Sequence, residues 1–132
     1  MATFVLVHGS WHGGWCWRDT APLLRARGHE VRTPTLTGCG ENVHRLDGGI
    51  DLGIHAQDVV NLLFYEDLHD VILVGHSYAG LVVAMAAPGI AERLRSLVYL
   101  DAYIVPPGGR GVDLWDDERV AAAKEAMKGD SP

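Results

Sequence analysis

The chain predicts an α/β protein built on a parallel sheet of about four strands with helices on both faces. Short, uninterrupted apolar runs occur at residues 4–7, 71–74 and 97–100, and the stretches between them carry helical periodicity or helix punctuation. Glycines stand where strand pattern gives way to helix pattern. Strand and helix alternate along the chain, which calls for right-handed crossovers between parallel strands.

Each element has its own local reason. Residues 4–7, Phe-Val-Leu-Val, suit a strand buried on both faces that ends at His8-Gly9. Residues 17–27 place Leu23, Leu24 and Ala26 among Arg and Asp residues, and Gly28 follows where helices commonly stop. Residues 30–36 alternate loosely around Val31 and read as a second strand, leading into a Gly/Asn-rich loop over residues 37–49 that is long enough to be functional. Between 51 and 65 the apolar residues Leu52, Ala56, Val59, Val60 and Leu63 recur at helical steps, with Gln57, Asp58 and Asn61 on the opposite side. Residues 71–74 form the third strand, residues 78–87 a helix interrupted by Pro88-Gly89, and residues 97–100 a fourth strand ending at Asp101. Residues 1–109 are expected to form one core unit. Residues 110–132 are set apart as the start of a lid, with a helix opening at Asp116 and closing near Lys128 over a thin apolar face of Val120 and Met127.

Composition narrows the function. The 132 residues are 48% hydrophobic and 21% charged with a formal charge of −6, and no Lys/Arg cluster is present to hold a polyanion, so a nucleic-acid partner is not expected. Cys16 and Cys39 lie outside any disulfide or metal-ligand spacing and read as free thiols. The acidic group Asp113, Asp116, Asp117 and Glu118 reads as a solvated helix start, so no metal is indicated, and no cofactor is called for. No apolar run approaches a membrane span, which leads to an expected cytoplasmic location without a membrane partner.

The chemistry concentrates at Gly75-His76-Ser77-Tyr78-Ala79, directly after the third strand. A strand that turns sharply into a helix lifts its central side chain above the carboxyl edge of the sheet and requires small residues two positions before and after it, as Gly75 and Ala79 are. Ser77 is therefore the candidate nucleophile. The helix start supplies the N–H of Tyr78 as one donor to a developing oxyanion, and the Gly-rich loop after the first strand is expected to supply the N–H of Ser10 as the second. Trp11 and His12 in that loop are candidate pocket residues, while Trp15 and Trp17 read as packing.

All seven histidines lie at or before His76, so no imidazole follows the proposed nucleophile. His8 and His76 flank turns and read as structural, His12 as a loop or substrate contact, and His29, His44, His55 and His69 as surface or packing residues. Asp101, at the end of the fourth strand, reads most simply as a hydrogen-bonded loop anchor.

The segments at residues 4–17, 34–38, 58–60 and 71–80 resemble the N-terminal part of an α/β-hydrolase, and within that superfamily the small esterases of the plant methylesterase and hydroxynitrile lyase group and their bacterial relatives. The resemblance covers about residues 3–109. It implies an incomplete α/β-hydrolase fold, Ser77 as the acyl-accepting nucleophile, a small-molecule ester substrate, and a triad whose acid and histidine follow the serine along the chain. Asp101 is a candidate catalytic acid only through this resemblance, some members placing the triad acid there and others one strand later. Hydroxynitrile lyases of the group usually have threonine where this chain has Gly9, which favours ester hydrolysis. Ala79 replaces the usual glycine and adds one methyl at a tight contact. Relatives continue for roughly another hundred residues that carry the acid and the base, so this stretch is expected to be nearly inactive alone.

Two other readings stay open. One is a catalytically silent binding module that keeps the pocket. The other is a nucleotide-binding α/β protein, because Gly75-x-Ser77-x-x-Gly80 resembles a dinucleotide loop and Asp101 lies at a suitable distance. In each case the fourth strand is expected to leave an apolar edge through which the chain self-associates.

Overall fold

Four parallel strands in the order β2-β1-β3-β4 form the sheet of the computed structural model, which describes residues 1–105 together with Glu118 and Ala121. Strand β1 (Thr3–Val7) pairs with β2 (Glu30–Arg32) on one side and β3 (Val71–His76) on the other, and β4 (Leu94–Leu100) adds to β3 beyond an irregularity at Val71/Ile72. The chain leaves β1 in one direction to make β2 and then returns past it to make β3. This reversal creates a crevice beyond the carboxyl ends of β1 and β3, the place where open α/β sheets bind ligands.

Side-chain alternation divides the core in two. Val5 and Val7 of β1 with Val71 and Leu73 of β3 pack against α2 (Leu52–Tyr65) and α3 (Ala79–Ala86), through Ala56, Val59, Leu63, Val82 and Val83. On the opposite face Leu6, Val31 and Val74 pack against Trp17 and Ala21, the latter on α1 (Thr20–Ala26). Helices thus cover both faces, as the apolar runs predict.

The ends of the helices follow local chemistry. The Asp51 carboxylate accepts the Ile54 N–H at 3.0 Å and caps α2. Gly28, at φ +87°, ends α1 while its N–H donates to the Arg25 carbonyl at 2.9 Å. At the far end of α2 one guanidinium nitrogen of Arg93 donates to the carbonyls of Leu63 (3.3 Å) and Leu68 (3.2 Å) and to Asp67 (3.1 Å), tying the helix exit to the approach to β4. Arg93→Ala is expected to cost about 1–2 kcal/mol, read as a lower urea midpoint at unchanged slope.

Several boundaries differ from the sequence expectation. The helix expected over 17–27 begins only at Thr20, behind a separate 3₁₀ turn at Gly14–Trp17, where a side chain on Gly14 would collide with the Thr33 carbonyl oxygen. Strand β2 stops at Arg32 rather than 36, two residues before Pro34, which has no N–H for a ladder. The loop over 37–49 contains a 3₁₀ turn at Gly40–Arg45, another joins α3 to β4 at Ala87–Arg93, and β4 begins three residues earlier than its apolar run. The expected helix from Asp116 lies outside the described residues except for Glu118 and Ala121, which are helical.

Strand β4 is the least covered. Leu94 and Leu97 pack toward α2 and α3, but Val98, whose register partner is Val74 on the α1 side, is 38% exposed and Leu100 is 46% exposed. Among the described residues no helix is long and apolar enough to cross a membrane.

Candidate active site

Ser77 sits between β3 and α3 at φ +55°, a left-handed conformation that serine adopts only when its surroundings impose it. The imposing contacts are specific. A Cβ on Gly75 would lie 2.6 Å from the Ala79 carbonyl oxygen and 2.8 Å from Val83 Cγ2, so the strand meets the helix here only through glycine. Ala79 is fully buried and its extra methyl is accommodated. From the other side the Ser77 N–H donates to the Leu100 carbonyl (3.4 Å), and the Ser77 carbonyl accepts from the N–H groups of Gly80 and Tyr103, both at 3.0 Å. The elbow is therefore fixed by α3 and by the chain leaving β4.

The loop after β1 comes up beside this turn. A side chain on Gly9 would stand 3.0 Å from Ser77 Cβ and 3.2 Å from the His76 carbonyl oxygen, so glycine lets the two segments touch. The loop then turns through Trp11, also left-handed at φ +66°. Gly14 donates its N–H to Thr35 Oγ1 (2.8 Å), whose hydroxyl donates to Glu41 (2.7 Å), and this tethers the loop to the 3₁₀ turn over 40–45. The bond from Thr35 also holds the Glu41 carboxyl below its usual range.

Between the two loops, α2 and the elbow lies a cavity of about 550 Å³. Ser10, Trp11, His12 and Tyr78 all line it, so the structure gathers every predicted loop and pocket residue at one place. Gly9, Ser10 and Tyr78 belong to its wall, whereas Ser77 is half-buried and is not itself part of that wall. Among the described residues no protein group bonds the N–H of Ser10, the N–H of Tyr78 or the Ser77 hydroxyl. Trp11 is 78% exposed at the rim, whereas Trp17 is core and Trp15 packs edge-on to His12 at 5.5 Å.

The histidines separate by environment. His8 is fully buried; its Nδ1 faces the Gly9 carbonyl at 2.8 Å and its Nε2 accepts the Leu36 N–H at 3.0 Å, which fixes a neutral tautomer that ties β1 to the loop after β2. Burial lowers its pKa from 6.5, only partly offset by the Gly9 bond. The unfolded chain then binds the extra proton first, so this contribution to stability is whole above about pH 6.5 and is lost as pH falls toward the lowered folded value. Melting temperatures between about pH 5 and 8 should rise with pH, and His8→Gln, though less stable throughout, should show a shallower rise.

His55 extends the sequence reading. Its position suggests surface or packing; it is buried, and it also lines the cavity, with Nδ1 2.8 Å from the Tyr78 hydroxyl and Nε2 2.8 Å from the Thr37 carbonyl. Asp58, on the polar side of α2, accepts the Thr37 N–H at 2.6 Å and the Thr37 hydroxyl at 2.7 Å. Helical periodicity assigns these residues a side of α2 but says nothing of the loop they meet. Asp101 is exposed at φ +44°, and among the described residues its side chain has no partner; the loop is anchored by the Tyr103 N–H instead. The spacing of Gly75 and Gly80 serves backbone contact, since a Cβ on Gly80 would lie 2.4 Å from the Tyr103 carbonyl oxygen. This accounts for the dinucleotide-like pattern without a nucleotide.

Residues 4–130 match the alpha/beta hydrolase family, and the chain belongs to it. Over 108 residues it is 55% identical to a carbendazim hydrolyzing esterase of Nocardioides sp. (strain SG-4G), covering 82% of this chain and 45% of that protein. Methylesterase 1 of Arabidopsis thaliana is 38% identical over 103 residues, or 76% of this chain and 39% of its own. Among solved structures, an extracellular alpha/beta-hydrolase from a Paenibacillus species, described as sharing homology with tobacco salicylic acid binding protein 2, superposes with a TM-score of 0.88 at 31% identity, covering 95% of this chain and 50% of that one. The chain spans half or less of the length of each of these relatives.

Proposed function

We propose that this chain carries the nucleophile half of a serine ester hydrolase. The observation that carries the reading is the left-handed Ser77 on a strand-to-helix turn, with Gly9 close against its Cβ and Ser10 and Tyr78 lining the adjoining cavity. Ser77 Oγ would attack the ester carbonyl, and the two N–H groups would receive the charge that develops on its oxygen; one such donor is typically worth ~10²-fold or more in turnover. The substrate is a small, mostly apolar ester of the size the cavity admits, and carbendazim and methyl esters are the first to try because related esterases bear those names. The two free thiols suit a reducing, cytoplasmic compartment.

No imidazole follows His76 in these 132 residues, and among the described residues none bonds the Ser77 hydroxyl. The base therefore has to come from outside this stretch, and its lack should lower turnover by roughly 10²–10⁴-fold. The decisive experiment is covalent labelling by a fluorophosphonate with added imidazole as a diffusible base. Slow labelling at Ser77 that accelerates with imidazole concentration, and that Ser77→Ala abolishes, is the expected result. No reaction at any imidazole concentration would support instead a silent binding module, which a Ser77 hydroxyl without a partner among the described residues also fits.

The uncovered face of β4 carries a second expectation. Val98, Tyr99 and Leu100 should drive association of two copies of this chain through the exposed edge. Sedimentation should show a concentration-dependent dimer or larger species that Val98→Lys disperses; a monodisperse monomer would refute the idea.

A further inference from the structure

The polar atoms of the cavity wall are few, and their protons can be assigned. The Thr37 carbonyl can only accept, so in neutral His55 the Nε2 carries the hydrogen and Nδ1 is left as an acceptor. The Tyr78 hydroxyl then donates its single proton to Nδ1 across 2.8 Å. That proton is spent, and the phenolic oxygen meets anything else in the cavity only as an acceptor. The arrangement is held from behind, because both oxygens of Asp58 grip Thr37 at its N–H and its hydroxyl, at 2.6 and 2.7 Å. Burial above all, with Cys39 and Asp51 nearby, pushes the Tyr78 phenol up to about 12, so it stays protonated at ordinary pH. The remaining wall includes Leu36, Val43, Leu46 and Trp11, and among the described residues that form it none is Asp, Glu, Lys or Arg. A charged ligand would meet no carboxylate, ammonium or guanidinium among them. One more polar atom on the wall, Nδ1 of His12, is buried with no partner among the described residues.

We propose that the cavity selects neutral, largely apolar esters that carry an N–H or O–H donor, which the Tyr78 oxygen accepts, and that His55 is the positioning residue that makes this oxygen an acceptor. The inference rests on the proposed function only in treating the cavity as the seat of the ester.

The test is a binding comparison by calorimetry near pH 8, where imidazole is neutral, with methyl indole-3-carboxylate, its N-methyl analogue and the indole-3-carboxylate anion. The N–H ester should bind about five- to tenfold more tightly than the N-methyl ester, the worth of one hydrogen bond, and the anion most weakly. Tyr78→Phe should erase that ratio, and a ratio that persists there would point to His12 and overturn the assignment. His55→Ala should shrink the ratio, because the phenolic proton is then free to turn into the cavity. The ratio, unlike affinity itself, is insensitive to a general loosening of the wall. Equal affinities in the unsubstituted protein, or no binding of either ester, would also overturn the proposal. Ser77→Ala should leave the ratio unchanged, so failure here is distinct from failure of the labelling experiment.

Discussion

Gly75→Ala should destabilise the protein by about 3 kcal/mol or more and abolish Ser77 labelling together with it. The added methyl would meet the Ala79 carbonyl oxygen at 2.6 Å, the Ala79 carbonyl carbon at 2.9 Å and Val83 Cγ2 at 2.8 Å. Two of those three atoms are backbone, and they can retreat only if α3 moves away from β3. Domains are stable by roughly 5–15 kcal/mol in total, so such a loss is a large share. The displaced helix start would also carry the Tyr78 N–H with it. Gly28→Ala is the useful contrast: a Cβ placed there would meet nothing within 4 Å beyond its immediate chain neighbours, and only its φ of +87° resists a side chain. Its cost should be about 1 kcal/mol, with labelling intact. Thermal melts of both variants separate the two cases, and an unshifted melt for Gly75→Ala would mean that strand and helix are not in close contact at that point.

Ser77→Gly should do the opposite to stability while removing all chemistry. At φ +55° the serine carries about 1–2 kcal/mol of conformational strain that glycine does not. Glycine loses more chain entropy on folding, about 0.5–1 kcal/mol, so a net gain of about 0.5–1 kcal/mol is expected. The melt should rise by a few degrees, and imidazole-assisted labelling should vanish. Ser77→Ala, which keeps the strained backbone, should lose labelling with no such rise. A lower melt for the glycine variant would show that the turn is not strained.

Much of this architecture was legible in the sequence because it depends on local rules. The apolar runs at residues 4–7 and 71–74 became β1 and β3 almost to the residue, and Gly28 ended α1 where a left-handed cap was needed. The elbow was legible because Gly75, Ser77 and Ala79 satisfy a steric demand written over five consecutive positions. What was not legible depends on which segments meet. His55 lies 23 residues from Tyr78, and Thr37 lies 21 from Asp58, and nothing in the periodicity of α2 shows that the loop after β2 folds back over its first turns. The start of β4 at Leu94 was hidden for a similar reason, since Arg95 and Ser96 are polar and belong to the strand by pairing alongside β3.

The segment at residues 100–103 holds both ends of the Ser77 peptide unit, taking its N–H at Leu100 and giving an N–H to its carbonyl at Tyr103, while Gly80 is pressed against the same stretch. Residues 100–103 are thus joined to the Ser77 turn by two hydrogen bonds and one steric contact. Displacement arriving along that segment would be handed directly to the Ser77 backbone, through bonds that no ligand in the crevice needs to touch.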